Sequence, residues 1–140
     1  MGLVLCATRG GEESIITQQK AISIAKERAD PLVFLYVADS SFLDKTAAAV
    51  VVDVQDELKH MGEFFLVMAV ERAAEEGVGA KAVIRSGSFV PTFIEVAHEM
   101  EATTIVLGRP GGETGRFNEE DFSAFCHYLA EETQAEIITP

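Results

Sequence analysis

Basic residues are scarce in this chain. The 140 residues include 11 lysines and arginines against 23 aspartates and glutamates, which gives a formal net charge of -12 at pH 7. The backbone of a nucleic acid and the surface of an anionic membrane both select basic protein surfaces. We therefore expect neither a nucleic acid nor a membrane as a partner.

Long apolar runs are also missing. No run reaches the length of a transmembrane helix, and no charged segment followed by an apolar one opens the sequence. The only two cysteines, Cys6 and Cys126, could pair, but the absence of a secretion signal favours reduced thiols. We expect a cytoplasmic protein in which both cysteines act as small buried hydrophobic residues.

Apolar runs and helical patterns alternate along the sequence. At 48% hydrophobic residues, the composition is that of one globular domain, which we place over residues 1–140. Five short apolar runs predict strands over residues 3–7, 32–37, 80–85, 103–107 and 135–139. Helices are predicted over residues 12–28 and 52–76, from near Pro91 to 101, and after 118. This alternation is typical of an α/β fold with a parallel sheet and helices on both faces.

The fourth strand runs into a glycine-rich loop, which is the most informative local pattern. Gly108 and Gly111 follow the strand, and the last helix begins with the acidic stretch 119–121. A strand, a glycine loop and a helix N-terminus form a typical phosphate cradle, because backbone N–H groups are accessible there. Three carboxylates at the helix start would repel a phosphate, so this cradle is altered.

Four segments carry a resemblance to a known family, and their order and spacing cover the whole chain. They are residues 3–8, 35–39 and 86–88, and the stretch Ile105-Val106-Leu107-Gly108-Arg109-Pro110-Gly111. In these segments the chain resembles a universal stress protein of the single-domain type. The resemblance implies the adenine nucleotide alpha hydrolase-like fold, a five-stranded parallel sheet in the order 3-2-1-4-5. It also implies a homodimer through the last strand, formed by Ala135, Glu136, Ile137, Ile138 and Thr139.

The resemblance also implies a nucleotide pocket, and this chain carries only part of the sequence motif that forms it. Nucleotide-binding members carry a two-part motif, in which Gly-x-x-Gly is followed after nine residues by Gly-Ser or Gly-Thr. They also carry an aspartate after the first strand. Gly108 and Gly111 match, but Asp121 and Phe122 stand where Gly-Ser is expected, and Arg9 stands where the aspartate is expected. The implied pocket residues are Ala7, Thr8, Arg9, Val37, Leu107, Gly108, Arg109, Gly111, Asp121 and Phe122.

Two of the residues that depart from the nucleotide motif have opposite charges, since Asp121 is negative and Arg9 is positive. At 4 Å, a carboxylate and a phosphate repel each other by about 4 kcal/mol at an effective dielectric of 20. Asn118 can cap the last helix, with Asp121 in the reciprocal capping position. Arg9 could hold a phosphate, but pairing with Asp121 inside the pocket is the favoured interpretation.

Other reactive side chains give no catalytic pattern. His60, His98 and His127 fall on predicted helices without metal-ligand spacing, and no base can be assigned to a loop serine. We therefore expect neither a metal nor an enzymatic activity. The favoured hypothesis is a stress-response regulatory module without tight ATP binding and without a cofactor. The alternative is a switch that binds ATP or AMP, with slow or no ATPase activity, which Thr8, Gly108 and Gly111 favour.

Overall fold

A computed structural model describes residues 2–9, 12–39, 48–108 and 119–140 of the chain. The strands are β1 Val4–Ala7, β2 Leu32–Ala38, β3 Ala80–Ser86, β4 Thr104–Val106 and β5 Glu136–Ile138. The helices are α1 Glu12–Arg28, α2 Ala48–Glu75, α3 Phe89–Glu99 and α4 Glu119–Thr133. The predicted alternation is confirmed. The segments 109–118 and 40–47 lie outside the described residues, and with them the predicted Asn118 cap, Arg109 and Gly111.

The sheet has the predicted order, β3-β2-β1-β4-β5. β1 pairs in parallel with β2 on one side, Val4 beside Leu32, and with β4 on the other, Val4 beside Thr104. β3 and β5 continue the parallel pairing outward. The carboxyl ends of all five strands therefore lie along one edge of the sheet.

In the described part of the chain two helices pack on each face of the sheet, which agrees with the predicted helices on both faces. One hydrophobic cluster joins α1 and α2 to the sheet through residues such as Ile22 and Leu66. The second joins α3 and α4 through residues such as Phe93 and Leu129. Phe89, Phe93 and Phe125 form a ring cluster in it, with centroids 5.6 to 6.4 Å apart.

Two helix predictions need correction. α2 begins at Ala48, before the predicted residue 52, because β-branched valines lower helix propensity without preventing a helix. On α1, the helical spacing of Ile15, Gln19, Ile22 and Ala25 predicts an apolar face that includes Gln19, but Gln19 is exposed, whereas Gln18 is buried. The hydrogen bonds of Gln18, described below, compensate for the burial of its amide.

Gly62 lies in the middle of α2, where glycine is normally unfavourable. It is buried against Tyr36, and a Cβ at this position would lie 2.7 Å from Cε1 and 2.8 Å from Cγ of that ring. The ring itself is buried and packs beside Phe65, with centroids 6.3 Å apart. The glycine thus lets α2 approach β2 closely.

We expect Gly62→Ala to lower the free energy of unfolding. An added methyl in a close-packed site costs about 1–3 kcal/mol, which exceeds the gain of about 1 kcal/mol in helix propensity. Gly79→Ala is the matched control, because a Cβ there meets no atom within 4 Å. Urea denaturation measures both variants. A Gly62→Ala protein as stable as the parent would show that the helix is not held by this contact.

Both cysteines lie in the described part of the chain, and neither forms a disulfide. Cys6 is fully buried in the centre of the sheet, and burial raises the pKa of its thiol, because a thiolate there would be desolvated. Cys126 is partly buried on α4.

We therefore expect Cys6 to resist alkylation in the native protein and to react only after unfolding, since the thiolate is the reactive species. Mass spectrometry after iodoacetamide treatment, with and without denaturant, measures modification at each cysteine separately. The variant Cys126→Ser isolates the signal of Cys6. Rapid native alkylation of Cys6 would contradict the buried position of β1.

Candidate functional site at the carboxyl ends of the strands

The predicted pocket residues that the structure describes gather near the carboxyl ends of β1, β2 and β4. Ala7, Val37, Leu107 and Phe122 all belong to, or pack against, the hydrophobic cluster on the α3 and α4 face. Phe122 is partly buried there. The aromatic side chain at the Gly-Ser position thus packs against the core as an integral part of the fold.

Thr8 directly follows β1 and is held on two sides. Its backbone N–H donates to the carbonyl of Leu35 at 2.9 Å, which extends the contact of β1 with β2. Its hydroxyl accepts a hydrogen bond from Nε2 of Gln18 at 2.7 Å. Gln18 in turn accepts one at Oε1 from Nη1 of Arg72 at 2.8 Å.

This chain of polar side chains joins the carboxyl end of β1 to α1 and α2. Gln18 is only 2% exposed, and both ends of its amide have partners, as a buried polar group requires. Sequence reasoning missed Gln18 and Arg72. The available signal was spacing, because Gln18 lies on the same helical stripe as Ala21, Ile22 and Ala25, which are all buried.

Gly108 has a structural reason to be glycine. A Cβ at this position would lie 2.9 Å from Oγ1 of Thr17, which is itself buried on α1. The hydroxyl of Thr17 therefore occupies the space into which a larger residue would project. The close packing of α1 against the end of β4 accounts for this glycine without any ligand.

The charged candidates lie on the surface. Arg9 and Asp121 are both exposed, and their predicted pairing with each other stays a prediction. α4 begins at Glu119, so the three acidic residues 119–121 form its first turn, as predicted. Carboxylates at this end of a helix stabilise its dipole.

A further carboxylate, Asp39, lies at the end of β2 and is almost fully buried. Its Oδ2 accepts a hydrogen bond from the backbone N–H of Phe89 at 2.9 Å, at the first residue of α3. Ser88, the N-cap residue of that helix, makes no side-chain capping bond. Asp39 thus caps α3 from a neighbouring strand, a role that sequence spacing could not reveal because 50 residues separate the pair.

Elsewhere the described chain offers little catalytic chemistry. His60, His98 and His127 are exposed on their helices. Within the described residues, no group of three histidines, cysteines or acids is arranged to hold a metal ion. Among the same residues, no helix is both long enough and apolar enough to cross a membrane.

Comparison with known proteins gives one consistent family. The model of the universal stress protein family matches residues 1–135. The universal stress protein YxiE of Bacillus subtilis is 27% identical over 116 residues, which cover 77% of this chain and 78% of that protein.

Solved structures share the fold. The universal stress protein UspA from Lactobacillus plantarum superposes with a TM-score of 0.80 at 18% identity, over 99% of this chain and 96% of that one. The universal stress protein from Archaeoglobus fulgidus, solved in complex with dAMP, superposes with a TM-score of 0.68 at 15% identity, over 99% of this chain and 96% of that one. The family model, the relative and the shared fold agree, and the chain belongs to the universal stress protein family.

Proposed function

We propose that this protein is a regulatory module of the universal stress type that does not bind ATP tightly. The proposal includes a cytoplasmic location and no enzymatic activity. The observation that carries it is the acidic first turn of α4, residues 119–121, at the edge of the sheet where the strands end.

Charge is the first support. A helix N-terminus attracts phosphate through accessible N–H groups and the positive end of its dipole. Here the carboxylates of the same turn oppose that attraction. A carboxylate and a phosphate that are poorly solvated repel each other by about 4 kcal/mol at 4 Å. Because Asp121 is exposed, water and salt screen its repulsion of a phosphate to about 1 kcal/mol. Three such charges together still offset the contribution of about 0.3–1 kcal/mol that a helix dipole makes at an exposed site.

The second support is that two matching residues have structural roles. Gly108 makes room for Thr17, and the hydroxyl of Thr8 accepts a hydrogen bond from Gln18. Their presence is therefore explained by the fold alone. It does not require a nucleotide.

A nucleotide switch is the second candidate, and one observation favours it. The same fold in the Archaeoglobus fulgidus protein holds dAMP. Gly108 keeps the loop start small, and a nucleoside monophosphate carries less charge to the acidic turn than ATP does. AMP is accordingly the nucleotide that this alternative favours, with slow or no ATPase activity.

Removal of the acidic charges should raise phosphate affinity. We expect the unaltered protein to show no ATP binding with a dissociation constant in the micromolar range in calorimetry. The double variant Glu120→Gln/Asp121→Asn should bind ADP or ATP about tenfold more tightly than the parent, a gain of about 1.4 kcal/mol. Both substitutions preserve size and leave Phe122 in its place in the core.

The matched control is Glu131→Gln/Glu132→Gln, which removes two exposed charges from the other end of α4. Its nucleotide affinity should equal that of the parent. If both double variants gain nucleotide affinity to the same extent, the net charge of the protein controls binding, and the acidic turn of α4 has no specific effect. Micromolar ATP binding by the parent would overturn the proposal and establish the nucleotide switch.

Among the described strands β5 pairs with β4 alone, and this edge supports a homodimer, an assembly that is common in the family. The N–H of Glu136 donates to the carbonyl of Thr103, and the carbonyl of Ile138 accepts from the N–H of Leu107, each at 2.9 Å. Alternate residues of a strand direct their backbone groups to opposite sides. Ile137 therefore directs its N–H and carbonyl away from β4, where a second copy of β5 can pair with them.

We expect light scattering at micromolar concentration to give twice the chain mass of 15.1 kDa. Ile137→Pro removes the outward N–H and leaves the bonds to β4 in place, so this variant should be a monomer. Ile137→Val keeps the N–H and should remain a dimer. Circular dichroism checks that both variants fold. A parent protein of monomer mass would exclude this dimer.

A further inference from the structure

An apolar groove runs along the other edge of the sheet, between α2 and β3. It has a volume of about 490 Å³, and α2 contributes Leu66, Val67 and Val70 to one wall. The floor is formed by Ala80, Ala82 and Ile84 of β3. The two alanines create the groove, because their side chains are too small to fill the space under α2. Val67 is 56% exposed, and Phe64 beside it is 63% exposed.

The backbone beside this groove is open. β3 is the edge strand, paired with β2 alone among the described strands. Just after β3, the N–H of Gly87 donates to the carbonyl of Ala38 at 3.2 Å. Because backbone direction alternates, Ala82 and Ile84 direct their N–H and carbonyl groups away from β2. The residues that line the floor therefore also offer hydrogen-bonding groups to an added strand.

The charged side chains that line the groove are both negative. Glu63 and Glu71, eight residues apart on α2, are the charged residues among those that line it. At 1.5 Å per residue they are about 12 Å apart along the helix. In an extended chain, residues four positions apart lie on one face and are about 13 Å apart. A segment with basic residues at that spacing and an apolar residue between them would match both carboxylates and the groove.

We infer that this groove binds an extended segment of a partner protein, which adds a strand to β3. The segment presents a small or β-branched apolar side chain to Val67 and Ala82, flanked on the same face by lysine or arginine. Main-chain hydrogen bonds to Ala82 and Ile84 hold it, as in other complexes formed by strand addition. The surface lies at the edge opposite β5, so a dimer through β5 leaves it open.

A second copy of this chain is a poorer occupant. Two copies joined at this groove would bring four carboxylates together, those of Glu63 and Glu71 from each copy, on molecules of net charge -12. In addition, antiparallel pairing of two β3 strands about Val83 would place Lys81 opposite Arg85, and like charges directly opposite each other are destabilising. Charge thus favours a basic partner over self-association.

The test uses a heptapeptide of sequence Thr-Lys-Thr-Val-Thr-Lys-Thr, blocked at both ends, whose lysines and valine share one face. The comparison peptide carries glutamate in place of both lysines. Titration of the isotope-labelled full chain, followed by amide NMR, should show saturable shifts at Ala80, Ala82 and Ile84 with the basic peptide. We expect binding at least about tenfold tighter than that of the acidic peptide, equivalent to about 1.4 kcal/mol.

Three variants separate the contributions. Glu63→Lys/Glu71→Lys should weaken binding of the basic peptide at least about tenfold. Glu131→Lys/Glu132→Lys reverses two exposed carboxylates on α4, which packs on the opposite face of the sheet from α2, and its affinity should stay within about twofold of the parent. Ala82→Pro removes an outward N–H without breaking the bonds to β2, and it should weaken binding by either peptide.

The outcomes are distinct. The inference would be overturned if both peptides bind equally or if neither binds up to about 1 mM. It would also be overturned if both charge-reversal variants lose affinity for the basic peptide to the same extent. An increased molecular mass of the parent protein that Glu63→Lys/Glu71→Lys abolishes would mean that a second copy occupies the groove, which also overturns it. If Ala82→Pro fails to fold by circular dichroism, the charge-reversal pair still decides. None of these readouts depends on ATP.

Discussion

Parallel pairing of β1 with both β2 and β4 is the interaction on which the rest of the structure depends. Three of the four residues of β1 are fully buried, and each side chain lies in one of the two hydrophobic clusters. Because the three strands run in one direction, their carboxyl ends meet at one edge and their loops converge there. The helices then follow from connectivity, since each crossover must return across a face of the sheet.

The convergence of the loops creates a potential ligand site, but local packing determines what that site can hold. Thr17 approaches Gly108, Gln18 bonds to Thr8, and Arg72 completes the polar chain from α2. These contacts join the ends of β1 and β4 to α1 and α2 through protein groups alone. In the function proposed above, the acidic first turn of α4 gives this potential site a negative boundary. The same fold holds dAMP in the Archaeoglobus fulgidus protein, and the role of any one member depends on the residues at its site more than on the fold.

The two edges of the sheet present different chemistry. β5 is three residues long, and Arg28 lies 3.1 Å from the carboxylate of Glu136 on that strand, so its edge is short and largely neutral. β3 is seven residues long and lies beside an acidic apolar groove. A short neutral edge suits pairing with an identical strand, whereas the longer edge suits a basic segment. The strand order places these two surfaces on opposite sides of the molecule, so both can be occupied together.

Much of the fold was predictable because hydrophobic periodicity and turn residues are local signals. The strands, the helices and the acidic start of α4 follow from the pattern of side chains along the chain. The resemblance to the universal stress proteins added the strand order. The same sequence also identified Gly108, Asp121 and Phe122 as the positions where a nucleotide motif is kept or altered.

Only the tertiary structure decided the roles that depend on distant neighbours. Gln18 and Gln19 are adjacent and chemically identical, and the packing of α1 against β1 and α2 determines which of them is buried. Asp39 caps a helix 50 residues away, and Gly62 accommodates the ring of Tyr36. The groove at β3 exists because two alanines lie under α2 at a sheet edge. The sequence by itself determined where strands, helices and charges occur, since those depend on local patterns, whereas contact between residues remote in sequence depends on how the layers pack.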